Sequence, residues 1–160
     1  MLKTSIRRLT PPPEISELEV APRSRVPIGR HTIVLETSDV VRLVIEGDIS
    51  ADDVLRMLAQ YRLAAEAHGY VLVMADVSRL GSINADARKA LCAGIDIPMR
   101  GTVIYNASFQ ARILSTLVTG ALQLFTGAHN HPVVFLPDEA EAQRWIAERR
   151  TMLGGAALAV

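Results

Sequence analysis

Six consecutive apolar residues, Tyr70-Val71-Leu72-Val73-Met74-Ala75, constrain this chain more than any other feature. Side chains alternate across a strand, so an unbroken apolar run has no face to offer water. Such a run reads as a central strand covered on both sides, the habit of parallel sheets in α/β proteins. Gly69 just ahead of it is a helix stop. Asp76 just after it opens a polar junction that leads to a second helix.

The elements around this strand follow from pattern. Residues 32–36 and 40–46 are strand-like, and Thr37-Ser38-Asp39 between them suits a hairpin turn. Ser50-Ala51-Asp52-Asp53 reads as a capping box that opens a helix running to about His68. Its expected apolar face is Val54, Leu55, Leu58, Tyr61 and Ala65. Further on, the spacing predicts a helix over 84–93, a strand over 101–105, a helix over 108–125 and a strand over 132–136. Asp138-Glu139-Ala140-Glu141 is a second capping-box candidate, opening a last helix to about Arg150. The order ββαβαβαβα implies an α/β fold: a mixed, mostly parallel sheet with a leading β-hairpin and right-handed crossovers.

Residues 1–30 differ from the rest. They hold five of the eight prolines and six basic side chains against three acidic ones, while the body carries a small negative excess. Proline at that density favours an extended arm. The expected division is therefore an arm at 1–30, one domain at 31–150 and a short tail at 151–160. The arm reads as a solvated extension, with docking on a neighbouring subunit as the sharper alternative.

Composition narrows the function classes. The chain of 160 residues has zero formal net charge, which gives no general pull toward nucleic acid or anionic membrane. A basic face with interleaved aromatics, the usual nucleic-acid signature, is missing. No apolar run is long enough to span a membrane. Cys92 is the only cysteine, so no internal disulfide can form; it reads as a small buried hydrophobe. A lone thiol without a secretory leader fits the cytoplasm.

Three segments carry a resemblance to a known group: Val41-Arg42-Leu43-Val44-Ile45-Glu46-Gly47, Val73-Met74-Ala75-Asp76-Val77-Ser78, and the stretch from Pro132 to Ile146 with its acidic turn and Trp145. Together they resemble the SpoIIAA-like superfamily, which holds the STAS anti-sigma-factor antagonists and a bacterial branch related to CRAL-TRIO lipid carriers. The resemblance implies a SpoIIAA-like fold and a non-enzymatic, protein-binding role. STAS regulators place an Asp-Ser-Ser/Thr-Gly motif after the central strand, and a kinase phosphorylates its second hydroxyl. Aligned on Asp76 and Leu80, Asn84 stands for the Asp, Ala85 for the first Ser, Asp86 for the phosphoacceptor and Ala87 for the Gly. The acceptor hydroxyl is absent. Asp86 is either a fixed charge where a phosphate would sit or, more simply, a first-turn carboxylate favoured by the helix dipole.

Candidate partner-binding residues are accordingly Ser82, Asn84, Asp86 and Arg88. No catalytic residues, cofactor or metal ligands are expected: Ser78 and Ser82 have no base nearby in sequence, and His129 with His131 lacks a third ligand. One stretch is odd. From Gly101 to Pro137 the only formally charged side chain is Arg112, whereas a surface helix normally shows a charged face. Arg112, Leu117, Leu122 and Phe125 are the candidate interface or ligand residues there. Protein contact is thus the first expectation, with a homo-oligomer or an unidentified protein as partner. Binding of an apolar small molecule and self-assembly are the alternatives.

Overall fold

The structure, a computed structural model, describes residues 24–126 and 131–158. Six strands form one sheet: β1 (Arg25–Ile28), β2 (His31–Thr37), β3 (Val40–Ile49), β4 (Val71–Ile83), β5 (Met99–Tyr105) and β6 (Val133–Leu136). Four helices accompany them: α1 (Ala51–His68), α2 (Ala85–Ala90), α3 (Phe109–Thr126) and α4 (Glu139–Leu158). The strands lie in sequence order from edge to edge. β1, β2 and β3 are antiparallel neighbours, and β3 to β6 run parallel. The expected mixed, mostly parallel sheet with its leading hairpin is present.

That strand order decides where the helices go. Each parallel crossover steps one place in the same direction, and right-handed crossovers stepping one way put their helices on one side. α1, α2 and α3 therefore share a face, over a core that includes Leu43, Val73, Val77, Leu58 and Ala111. Among the described residues, α4 is the helix that covers the opposite face. This helix folds back so that Ala142, Ile146 and the partly buried Trp145 pack on Val40, Leu72, Met74, Val103 and Tyr105. Val71 to Met74 are at most 3% exposed, so the run that reads as a doubly covered strand is one.

Differences from the sequence reading have identifiable causes. β1 lies inside the stretch assigned to the arm; residues 1–23 of that arm lie outside the described residues. An edge strand tolerates Pro27, which a central strand would not. β4 runs to Ile83, well past the apolar run, because beyond Asp76 it pairs with the end of β3 (Glu46 with Arg79, Gly47 with Leu80, Ile49 with Ile83). α4 continues to Leu158 rather than stopping near Arg150. Leu55, expected on the apolar face of α1, is 49% exposed. Val54, Met57, Leu58, Tyr61, Ala64 and Ala65 form the buried stripe instead, and that spacing follows 3.6 residues per turn. Cys92 is exposed: α2 ends at Ala90, and a 3₁₀ turn over Leu91–Gly94 carries the thiol outward.

Candidate functional site

The parallel strands end in a row, and the junction predicted as the site lies at this carboxyl edge. Its geometry starts with β3. Gly47 takes φ of 81°, and Asp48 Oδ1 then accepts a hydrogen bond of 2.8 Å from the Ser82 backbone N–H. That bond, with a second from the Ser82 side chain, holds the Asp48 carboxyl below its ordinary range. Ser82 is therefore a strap between β3 and β4.

At Asn84 the chain turns into α2. The Asn84 side chain accepts from Ala87 N at 2.8 Å, an N-cap. Arg88 folds back and donates from Nη1 to the Ile83 carbonyl at 2.8 Å. Asp86 is exposed and makes no hydrogen bond or ion pair among the described residues. Of the four predicted junction residues, three hold the local backbone in place and only Asp86 presents an uncommitted group. Next to them, Asp76 Oδ1 accepts from Ser78 N at 3.0 Å, and Asn106 lies across from it at φ of 57°.

Sequence reasoning missed His31. It is 2% exposed beneath this edge. Its Nδ1 accepts from Glu46 N at 3.0 Å, so Nε2 carries the proton and donates to the Asp48 carbonyl at 3.2 Å. Asp53, the capping carboxylate of α1, lies 3.5 Å from Nε2. Histidine thus joins β2, β3 and α1, with partners too far along the chain to leave a local pattern.

The weakly charged helix is α3. Ser108 caps it by accepting from Ala111 N at 3.1 Å. Its first turns present Phe109 and Ile113, 79% and 49% exposed. Arg112 sits 6.0 Å from the centroid of the Phe135 ring, a cation–π distance. Leu117, Leu122 and Phe125 lie on this helix, and their side chains are outside the described residues.

Between α1, α3 and the sheet is a cavity of about 300 Å³. Its floor includes Leu43, Val73, Ala75 and Ile104, and its roof Met57, Leu58, Tyr61 and Val118. Arg100, Thr102 and His131 also line it. His131 Nε2 lies 2.8 Å from Thr102 Oγ1. Burial, with Arg100 and Arg149 close by, pushes the His131 pKa down and keeps the ring neutral. His129 lies outside the described residues. Among the described residues no group of three His, Cys, Asp or Glu side chains could hold a metal ion. No described helix is long and apolar enough to cross a membrane.

At the amino edge, Asp39 is buried and gathers Arg150 Nε (2.8 Å), Thr37 Oγ1 (2.8 Å) and Tyr70 OH (3.2 Å). Burial works to raise its pKa, but these hydrogen bonds and the Arg150 charge outweigh it, leaving the carboxyl below its ordinary value. This knot ties the hairpin to α4.

No family model and no curated protein matches the chain. Solved structures similar to it include the following two. One is an uncharacterized protein of the DUF3478 family with a SpoIIAA-like fold, from Shewanella loihica, 17% identical, covering 66% of this chain and 82% of its own, with a TM-score of 0.48. The other is the anti-sigma factor antagonist SpoIIAA in its unphosphorylated form, 12% identical, covering 74% of this chain and 97% of its own, with a TM-score of 0.47.

Proposed function

We propose that the chain is a non-enzymatic regulatory module that works by protein contact at the carboxyl edge of its parallel strands. One observation carries this reading. Phe109 and Ile113, one turn apart at the start of α3, are 79% and 49% exposed. Adjacent exposed apolar side chains with polar neighbours such as Arg112 and Thr116 have the composition of a contact face. Asp86, on the same edge, adds an unpaired carboxylate. The hydroxyl that a STAS kinase would modify is replaced by this carboxylate, so contact here does not depend on phosphorylation.

A photo-reactive amino acid at position 109 or 113, activated in the native cells, tests this. It should yield one dominant covalent protein adduct, whose mass separates a second copy of this chain from another protein. The same probe at Arg144, exposed on α4, serves as the background. Adducts at 109 and 113 no stronger than at 144 would sink the reading.

A second reading, binding of an apolar small molecule, is favoured by the cavity of about 300 Å³. That volume lies at the lower end of ordinary ligand pockets.

A further inference from the structure

The cavity is not uniform. Its polar residues are together: Arg100 and Thr102 on β5, and His131 just before β6. Thr102 and His131 satisfy each other. Arg100 does not find a counter-charge. Its Nη1 donates to the Met99 carbonyl at 3.2 Å, and no carboxylate pairs with it among the described residues. Arg149, on α4, donates from Nε to the Arg100 carbonyl at 2.8 Å, and it too has no acidic partner among the described residues. Arg100 therefore brings an uncompensated guanidinium to the cavity lining, and Arg149, which is outside that lining, adds a second positive charge within reach of His131.

A second observation is independent of these charges. Tyr61 projects from α1 into the cavity lining and is 7% exposed. Its hydroxyl has no hydrogen-bond partner among the described residues. The oxygen itself keeps some solvent access, so it is free to donate to a ligand in the cavity.

We propose that this cavity binds a single-chain amphiphile with an anionic head group. The chain lies along the apolar lining, and the head sits on the Arg100 guanidinium. Tyr61 offers a further donor from the roof. The volume suits one chain rather than a two-chain lipid. A charge-assisted hydrogen bond in a partly dry site distinguishes an anion from the equivalent alcohol. The proposal rests on the cavity reading and is independent of the contact face at α3.

Calorimetric titration of the full chain with octanoate, octyl phosphate and octanol tests it. At least one anion should bind about tenfold or more tightly than octanol, and the better of the two names the head group. Arg100→Met should bring the anions to the level of octanol and leave octanol itself unchanged. Ile104→Trp, filling the floor, should abolish binding of all three, with circular dichroism confirming the fold. If that variant does not fold, the Arg100→Met comparison decides alone. Equal binding of anions and octanol overturns the head-group site while leaving the cavity reading standing. Absence of binding by all three overturns both.

Discussion

Gly81 shows how little room the junction leaves. A Cβ there would stand 2.9 Å from the Gly47 carbonyl carbon and 3.0 Å from Asp48 N. Both are backbone atoms, which cannot rotate away. Gly81→Ala should therefore cost about 1–3 kcal/mol in chemical denaturation, the usual range for overpacking. Wild-type stability in that variant would mean that the ends of β3 and β4 stand further apart. Asp86 is the contrasting case: as a first-turn carboxylate in solvent, its replacement by Asn should change stability by no more than about 1 kcal/mol. Legibility in the sequence follows the reach of each side chain. Asn84 was readable as a cap because its bond spans three residues. Ser82 and His31 were not, because their partners are 34 and 17 residues away. The polar end of the cavity was equally hidden, since Arg100 and His131 meet only after β5 and β6 pair.

Among the elements, α1 was the most legible. Ser50 and Asp53 exchange hydrogen bonds of 3.0 and 3.1 Å across its start, and Gly69 closes it at φ of 102°. Ser50→Ala should lower stability by about 1 kcal/mol; an unchanged denaturation midpoint would show that the box contributes nothing. Elements were misjudged where pattern and pairing disagree. The second half of β4, Ser78 to Ile83, is too polar to read as a strand, yet the end of β3 holds it extended. β1 was masked by its proline, which an edge position accommodates. α3 was recognised as anomalous from its missing charges alone. What those charges would have excluded, an exposed Phe109 and an apolar cavity beneath Val118, needed the packed structure to appear.

At the scale of the whole molecule, acid should weaken the fold in two stages. The folded state depresses the pKa of His131, so the unfolded chain binds that proton more readily. Stability from this source is complete above about pH 6.5 and declines as pH falls below it. Asp39 is also depressed, so its contribution is present above about pH 4 and is lost as pH falls through the lower folded value. Both signs agree: more protons bind to the unfolded state. Thermal midpoints measured from pH 7.5 down to 3 should fall in these two windows, and His131→Gln should remove the first. A midpoint that stays level between pH 7 and 5 in the wild type would contradict the His131 assignment.

The unbroken strand order carries a kinetic consequence. Every described strand pairs with its neighbours in sequence, so the sheet can grow one strand at a time, closing no loop longer than a single crossover. The bond from Arg150 to Asp39 is different, because it joins residues 111 apart in the chain. Its closure belongs to the end of folding, after α4 has docked. Asp39→Asn should therefore speed unfolding and leave the refolding rate nearly unchanged, as expected of a contact absent from the transition state. Stopped-flow folding and unfolding arms measured on that variant would read this directly, and a slowed refolding arm would place the knot early. The Asp39 knot then acts as a latch on the finished fold, setting how long the molecule stays folded more than how quickly it gets there.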